Sequence, residues 1–251
     1  MAFIKYVTAC AGAGLLWMLF NAGRTNIVQE ELVVPSLPAA FTGKRIFFIS
    51  DIHRRCVPES LVKEVQQADL VIIGGDLLEK GVPFSRIRRN LRRLKQIGPV
   101  LFVWGNNDIE KNMDQLLQLF KEEGIKALEN STYVWKIGAS IIHVAGAGDK
   151  TLSVDPLLLQ NIPETETVLL VLHDPAAMWH IKGRGRIDAA LSGHTHGGQI
   201  RIGNLSLGEP GGWKYRFGFP FLISNGFGTT KLPMRLGARV ETHLIKLKSR
   251  T

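Results

Sequence analysis

Short apolar runs recur along the chain, and several are followed by stretches whose apolar residues repeat at helical spacing. Apolar runs of about four to eight residues, bounded by glycine or polar residues, are typical of buried strands. Such runs predict strands at residues 46–49, 70–73, 100–104, 168–172 and 189–192. Helical spacing predicts helices at residues 59–67, 85–96 and 113–123. Strands that alternate with helices in this way indicate a layered α/β domain.

Three further stretches have a different pattern. Residues 133–144 predict a hairpin that turns at Gly138, and residues 240–247 alternate like a last strand. Residues 26–43 contain Pro35 and Pro38 and are expected to form an extended lead-in to the sheet. We therefore expect a linker over residues 24–43 and a folded domain over residues 44–251.

The N-terminal stretch is apolar and uncharged over residues 6–22, with Lys5 and Arg24 on either side. Its length is at the lower end of the range of about 17 to 25 residues that a membrane-spanning helix needs. Residues 1–23 are therefore expected to form a membrane anchor, with a cleaved signal peptide or a buried or interfacial helix as alternatives. Basic residues lie on both sides of the stretch, so its orientation in a cell membrane stays open.

The composition and charge restrict the class of protein and its partners. The chain has 251 residues, a size that suits one α/β domain with a short appendage, and its two cysteines make a disulfide framework unlikely. The formal net charge is +9, and the densest basic run lies on the helix expected at residues 85–96. That run is either a solvated helix face or a surface for anionic lipid headgroups. Nucleic acid is the weakest option, since the run has no interleaved aromatic residues.

Polar clusters of Asp, His and Asn follow five of the expected strands. They are Asp51-Ile52-His53, Gly75-Asp76, Gly105-Asn106-Asn107-Asp108, His173 and Gly193-His194-Thr195-His196. Carboxyl ends of strands in open α/β sheets line one rim, where residues distant in sequence converge. Carboxylates, imidazoles and an amide on such a rim are ligands for divalent metals.

The order of these clusters resembles the calcineurin-like metallophosphoesterase superfamily, whose signature is D-x-H, G-D, G-N-H-D/E, a lone His and G-H-x-H. The resemblance spans about residues 44–199, and it departs from the signature at Asn107, where the family has His. Residues 221–226 and 232–235 are similar to the closing segments of a membrane-associated bacterial branch that includes UDP-2,3-diacylglucosamine pyrophosphatases. The resemblance implies two β-sheets packed face to face as a sandwich, with helices outside in four αββα layers.

The resemblance also implies two divalent metal ions. One would be bound by Asp51, His53, Asp76 and His196, and the other by Asp76, Asn106, His173 and His194. Asp76 would bridge ions about 3.5 to 4 Å apart, and water held between them would attack phosphorus. The mixed nitrogen and oxygen ligands suit manganese, iron or zinc, of which we favour manganese. No role is expected for His143, His180 or His243.

The family's histidine at the position of Asn107 protonates the leaving group or steadies the phosphoryl group. Asn107 cannot titrate, so we expect an activated substrate such as a pyrophosphate, while its amide can still bind an oxyanion. Glu79 is expected to orient residue 107 or to be a solvated acid. Arg54 and Arg55 are expected either to bind phosphate or to be solvated. The specificity elements are expected in residues 149–161 and 208–218.

These features together predict a dimetal phosphoesterase at the membrane, acting on a phosphodiester or pyrophosphate that is lipid-linked or a sugar nucleotide. Two alternatives remain at this point. One is a binding scaffold that has lost catalysis, although all the expected ligand positions are retained here. The other is a metal-dependent nuclease, which the basic helix and the same dimetal chemistry would allow.

Overall fold

The computed structural model describes residues 1–110, 113–148, 155, 157–181, 183, 185–203 and 205–250. The strands are β1 (Ile27–Val34), β2 (Arg45–Ile49), β3 (Leu70–Gly74), β4 (Val100–Val103), β5 (Lys126–Leu128), β6 (Ser131–Ile137), β7 (Ser140–Gly146), β8 (Thr167–Val171), β9 (Ala189–Ser192), β10 (Gly212–Arg216), β11 (Phe219–Ile223) and β12 (Thr242–Ser249). The helices are α1 (Ala2–Gly23), α2 (Glu59–Val65), α3 (Phe84–Lys95), α4 (Met113–Glu123) and α5 (Met178–Ile181). Short 3-10 turns lie at Ala39–Phe41, Asp108–Glu110, Pro175–Ala177 and His196–Gly198.

The strands form two six-stranded sheets, each mixed in direction. The first sheet has the order β1-β12-β2-β3-β4-β5, and the second has the order β10-β11-β9-β8-β7-β6. Strands β2, β3, β4 and β5 are parallel, as are β7, β8, β9 and β11. Each sheet therefore brings the carboxyl ends of several strands to one edge, as the sequence predicts.

Alternating side chains along the strands build the layers. Phe48 and Ile72 point between the two sheets and pack with Val144 and Leu169 of the second sheet. Phe47 points to the opposite side, into a core that helices α2, α3 and α4 cover with residues such as Leu61, Leu91 and Phe120. A third core lies on the outer face of the second sheet, where α5 supplies Met178 and Ile181. The expected sandwich with outer helices is confirmed, although α5 is short and this fourth layer is thin.

The elements expected from the sequence agree with the structure, apart from one. The hairpin β6–β7 turns at Gly138, whose φ is 60°, and β12 is the expected last strand. The segment expected as a linker over residues 24–43 differs, because it contains β1. This strand pairs in parallel with β12 over its whole length, from Ile27 opposite Thr242 to Val34 opposite Ser249. Its inward residues Leu32 and Val34 are buried between the sheets, so β1 is an edge strand of the domain.

The N-terminal helix α1 lies outside the three cores. Its apolar side chains, such as Leu16 and Trp17, are exposed, and among its described side chains Ala22 alone, at its end, is buried. The stretch Lys5–Gly23 is long and apolar enough to cross a bilayer. A signal sequence near the N-terminus also has this length and apolar composition.

Candidate metal centre

The expected ligands all lie just beyond the carboxyl ends of strands from both sheets. Strand β2 ends at Ile49 before Asp51, β3 ends at Gly74 before Asp76, and β4 ends at Val103 before Asn106. In the second sheet, β8 ends at Val171 before His173, and β9 ends at Ser192 before His194 and His196. The two sheets thus meet at a common rim, which collects the polar clusters.

Several of these residues have a strained backbone. The φ angles are 56° for Asp51, 51° for His53, 53° for Asp76, 71° for His194 and 51° for His196. A left-handed conformation costs about 1–2 kcal/mol for an ordinary L-residue, and such costs gather at functional sites. Asp51 and His53 lie beyond the end of β2. Their side chains converge because of these turns, and not because alternate residues of a strand share a face.

The side chains form two overlapping groups whose ligand atoms lie within 4.8 Å of one another. The groups are Asp51, His53 and His196, and Asp51, Asp76 and His173. In the first, Nε2 of His196 lies 3.5 Å from Oδ1 of Asp51 and 3.1 Å from Nε2 of His53. In the second, Nε2 of His173 lies 3.4 Å from Oδ2 of Asp76. His194 adjoins the second group, since its Nδ1 lies 3.1 Å from Nε2 of His173.

Asn106 completes the expected set and supplies a direct test of whether these residues fit a metal ion. Its Oδ1 atom is buried, and among the described residues it has no hydrogen-bond partner. An unsatisfied buried carbonyl oxygen costs about 1–3 kcal/mol, and coordination of a cation would remove that cost. The residues therefore fit a divalent metal. Which side chain binds which ion stays a prediction.

Hydrogen bonds orient the imidazoles toward the centre. Nδ1 of His173 lies 2.9 Å from the carbonyl oxygen of Gly74. A carbonyl only accepts, so Nδ1 carries the proton and Nε2 faces Asp76. Burial opposes the charged form of His173, but the carboxylate of Asp76 outweighs it and raises the pKa of His173 well above its usual value. Burial lowers the pKa of His196 to about 4, so this ring is neutral near pH 7 and keeps a lone pair.

The electrostatics of the two buried carboxylates favour a bound cation. Burial acts to raise the pKa of Asp76, yet His173 outweighs it and lowers that pKa below its usual value. The pKa of Asp51 is also lowered, because His196 and His173 outweigh the effect of burial. Both groups are therefore ionised at neutral pH, and a pair of buried carboxylates needs positive charge nearby.

Asp108 binds the backbone of the turns that carry the candidate ligands, a role that the sequence pattern did not assign to it. Its carboxyl group is fully buried, and its oxygens accept from the backbone N–H groups of Asp76 (2.8 Å), Leu78 (3.2 Å) and Gly105 (2.8 Å). Burial, together with the charge of Asp76, raises the pKa of Asp108 to about 8. Asp108 thus joins the turns after β3 and β4. Its place at the end of the Gly105–Asp108 cluster was the only sequence signal.

Arg235 is a second residue without an expected role, and it is fully buried. It lies 3.2 Å from Nδ1 of His196 and donates at 3.2 Å to the carbonyl oxygen of the same residue. It also donates to the carbonyl oxygens of Asn225 and Gly228, both at 2.6 Å. This arginine fixes the ring orientation of a candidate ligand. The sequence signal for this role was the presence of an arginine within the apolar stretch 232–236.

Asn107 and Glu79 contact the centre, but Glu79 has neighbours other than the expected one. Asn107 donates its backbone N–H to Oδ1 of Asp76 at 2.9 Å and its side-chain amide to Oδ2 at 2.5 Å. Glu79 was expected to orient residue 107 or to be solvated. Instead, one of its oxygens lies 3.3 Å from Nδ1 of His53 and the other accepts from Arg54. The carboxylate of Glu79 pairs with the positive charge of Arg54, whereas Asn107 carries no charge.

The two arginines after the first cluster differ in role. Arg54 is largely exposed and pairs with Glu79. Arg55 binds no part of the metal centre in this structure. It donates to the carbonyl oxygens of Gly23 (2.9 Å), Arg24 (3.0 Å) and Phe227, and its guanidinium lies 3.8 Å from the centre of the Phe227 ring. Phosphate binding by Arg55 stays a prediction, and these three backbone oxygens use part of its set of N–H donors.

The remaining expectations concern surfaces. In helix α3, Arg88 and Arg92 pair with Glu123, and Arg93 pairs with Glu59. These pairs use part of the basic run within the protein. His143 pairs with Glu166 and His243 with Glu30. Most of the expected specificity segment 149–161 lies outside the described residues. In the other segment, Gly208 lines a cavity that also contains His194 and His196.

The fold and this cluster of carboxylates and imidazoles define a metallophosphoesterase. The model of the calcineurin-like phosphoesterase family matches residues 44–198, and the chain belongs to that family. It is 42% identical over 249 residues to "Uncharacterized protein YpbG" of Bacillus subtilis (strain 168), covering 97% of this chain and 96% of that protein.

Other relatives have more specific names. The chain is 30% identical over 182 residues to "Phosphodiesterase YaeI" of Escherichia coli (strain K12), covering 66% of this chain and 64% of that one. It is 30% identical over 266 aligned positions to a "Transmembrane protein with metallophosphoesterase domain" of Danio rerio, covering 92% of this chain and 59% of that one. Among solved structures, the Mycobacterium tuberculosis phosphopantetheinyl hydrolase aligns with a TM-score of 0.50 at 15% identity, covering 73% of this chain and 89% of that one, and shows the same fold.

Proposed function

We propose that this chain is a membrane-associated, dimetal-dependent hydrolase of a phosphodiester or pyrophosphate bond. The observation that carries the proposal is the convergence of Asp51 and Asp76 with three imidazoles on one rim, beside the unsatisfied Oδ1 atom of Asn106. The imidazoles are those of His53, His173 and His196. A relative named phosphodiesterase supports the reaction class.

The chain's own residues would hold and orient the ions. We assign Asp51, His53, Asp76 and His196 to one ion, and Asp76, Asn106, His173 and His194 to the other. When bound, two such ions supply Lewis acidity and a nucleophile derived from water near neutral pH. Asn107 holds both oxygens of Asp76, while Gly74 and Arg235 hold the rings of His173 and His196. These second contacts preorganise the site, because they fix the ligands before an ion arrives.

The identity of residue 107 indicates which kind of leaving group the site can release. The amide of Asn107 donates to Asp76 and has no proton to transfer, so it gives no general acid help. Such help is typically worth about a hundred- to ten-thousand-fold in rate. Its loss slows the release of an alkoxide far more than the release of a phosphate that is already stable as an anion. We therefore propose a pyrophosphate-type substrate, such as a lipid-linked or sugar-nucleotide pyrophosphate that releases a nucleoside monophosphate.

A substrate series tests this proposal. The purified full chain with added Mn²⁺ would be assayed on a sugar-nucleotide pyrophosphate, a phosphodiester and a simple alkyl monoester. We expect the pyrophosphate to be hydrolysed fastest, and Asp76→Ala to lose both bound metal and activity. Asp69→Asn is the matched control, because Asp69 pairs with Lys44 and belongs to neither ligand group. Preference for the alkyl monoester would contradict the leaving-group argument, and an active, metal-replete Asp76→Ala would contradict the site.

Placement at the membrane rests on α1. Its span Lys5–Gly23 has 19 residues, and its apolar side chains have almost no burial within the protein. A relative whose name describes a transmembrane protein supports this placement. We propose that α1 is an anchor, with flotation of the full chain with lipid vesicles as the test.

A further inference from the structure

The end of helix α1 is fixed to the domain beside the metal centre. The backbone N–H of Arg235 donates to the carbonyl oxygen of Met18 at 3.0 Å, and Arg55 binds the carbonyl oxygens of Gly23 and Arg24. Arg235 is also the residue that holds His196. A single buried residue therefore links the helix, through its backbone, to a candidate metal ligand, through its side chain.

The length of α1 leaves no spacer between a bilayer and this face of the domain. The 19 residues of Lys5–Gly23 rise about 28 Å, close to the hydrocarbon thickness of about 30 Å. Met18 lies within about 8 Å of the helix end at the same rise per residue. A helix that uses its full length to span the bilayer therefore brings Arg235 and its neighbours to the membrane surface.

The loops next to Arg235 carry exposed apolar side chains. The exposed fractions are 68% for Ile202, 78% for Leu205, 103% for Leu207 and 54% for Leu232. We call these four residues the apolar loop patch. Single exposed apolar residues are ordinary, whereas a cluster on neighbouring loops marks a surface that binds a partner or a membrane.

Backbone hydrogen bonds join the two loops to each other and to the Arg235 segment. The N–H of Arg201 donates to the carbonyl oxygen of Leu236 at 2.7 Å. The N–H of Leu236 in turn donates to the carbonyl oxygen of Gln199 at 3.0 Å. The N–H of Thr230 donates to Oε1 of Gln199 at 2.9 Å. The apolar loop patch is thus continuous with the attachment of α1.

The charge around the patch suits anionic lipid. Residues 199–208 and 229–240 contain no Asp or Glu, but they contain Arg201, Lys231, Arg235 and Arg239. Lys231 and Arg239 are exposed. Each basic residue near an anionic bilayer contributes about 1 kcal/mol of attraction. Apolar tips surrounded by basic residues are typical of segments that enter the headgroup layer.

The patch also adjoins the entrance to the metal centre. A cavity of about 310 Å³ is lined by His194 and His196 together with Ile200, Leu207 and Leu232. We propose that the apolar loop patch inserts into an anionic phospholipid bilayer, so that the metal centre opens at the level of the lipid headgroups. This rests on the proposed anchoring by α1 and, for delivery of substrate, on the proposed phosphoesterase activity.

Fluorescence of a label on the patch tests the insertion directly. An environment-sensitive dye is attached at Leu205→Cys in the full chain, with Cys10 and Cys56 changed to Ser because both are exposed. The matched control is Leu117→Cys, an exposed leucine on α4 at the outer face of the first sheet. With the protein held in phosphatidylglycerol vesicles, we expect a blue shift and quenching by brominated acyl chains for the label at 205 alone.

Each other outcome overturns the inference. A label at 205 that stays in a water-like environment, in vesicles that retain the protein on flotation, shows that the patch does not enter the bilayer. A blue shift without vesicles that grows with protein concentration shows that a second copy covers the patch. Failure of the phosphoesterase proposal is seen separately, as an absence of metal and of hydrolysis of a soluble diester.

A pair of substitutions links the patch to activity. Ile202→Asp with Leu205→Asp is expected to lower hydrolysis of a vesicle-borne phosphate ester at least several-fold, because charged loop tips resist insertion. Hydrolysis of a soluble diester is expected to be unchanged, since neither residue lines the cavity beside His194 and His196. Equal losses on both substrates would show damage to the centre and would contradict the role of the patch.

Discussion

Asn107 departs from the family signature in a candidate centre where the other expected ligand positions are present. Its N–H groups hold both oxygens of Asp76, so it keeps a supporting role while it lacks a titratable proton. The identity of residue 107 was evident from the sequence, but its contact with Asp76 was not. Only the turn after β4 brings residue 107 to a carboxylate at the end of β3.

Restoring an imidazole at this position is expected to change leaving-group selectivity. Asn107→His should raise the rate on an alkyl monoester by about a hundredfold relative to p-nitrophenyl phosphate, because only the alkoxide needs a proton. The ratio of kcat/KM for the two esters measures the effect. Asn107→Ala is the control and should lower both rates together. An unchanged ratio in Asn107→His would show that general acid help is not what the asparagine lacks.

Asp108 is expected to contribute to stability as well as to metal binding. Asp108→Ala leaves the N–H groups of Asp76, Leu78 and Gly105 without their acceptor, at a cost of about 3 kcal/mol in the free energy of unfolding. Asp108→Asn keeps one acceptor oxygen and should cost less. Denaturant unfolding gives both values. Metal affinity should fall by about ten- to a hundredfold in Asp108→Ala, because Asp76 loses its support. Equal stabilities of the two variants would contradict this role.

At the scale of elements, the turns after the strands matter more to the site than the strands themselves. Residues 75 and 76 follow β3 with φ values of 88° and 53°, and they aim Asp76 at the centre. Space is as restricted as conformation here, since a Cβ atom on Gly75 would overlap the ring of His173. The glycine is therefore needed for the close approach of the two sheets at the rim.

A pair of glycines separates these two requirements. Gly75 and Gly81 have φ values of 88° and 90°, but a Cβ atom at Gly81 would meet nothing within 4 Å. Both Gly→Ala variants should lose about 1 kcal/mol of stability from backbone strain. Only Gly75→Ala is expected to lower metal affinity, since it displaces His173. Isothermal titration with Mn²⁺ measures the difference, and an equal loss of affinity in Gly81→Ala would show that strain alone is responsible.

The elements also show where sequence patterns are sufficient. Strands β2, β3, β4, β8 and β9 were expected because continuous apolar runs are required where both faces of a strand are covered. Strand β1 was missed, because its pattern Ile27–Val34 includes Gln29, Glu30 and Glu31 on a half-exposed edge. An edge strand is defined by its partner, here β12, which lies more than two hundred residues further along the chain.

At the scale of the whole molecule, the candidate metal centre lies where the two sheets meet. The residues expected to bind the ions come from turns after β2, β3 and β4 of the first sheet and after β8 and β9 of the second. Ions bound there would hold the two rims together in the folded state alone. Metal binding is therefore expected to stabilise the entire domain.

Removal of metal is expected to lower the melting temperature. Ions at about a hundredfold excess over Kd raise the free energy of unfolding by about 2.7 kcal/mol per site. For a domain of this size, that corresponds to about 5 to 10 °C in Tm. Calorimetry of the full chain with chelator and with Mn²⁺ measures the shift, and Asp76→Ala should show none. A Tm that does not respond to Mn²⁺ in the wild type would contradict a structural contribution of the site.

The sequence by itself determined the layered α/β class, the order of most elements and the family, because these depend on local periodicity and on short clusters that follow apolar runs. It did not determine the contacts of Glu79, Arg55, Asp108 and Arg235. Those contacts form between segments that are distant along the chain, and a charged side chain pairs with whichever group the packing of the two sheets brings nearest. The same packing placed the end of α1 against Arg235 and Arg55, next to the candidate metal centre, and this juxtaposition depends on long-range geometry and on no local pattern.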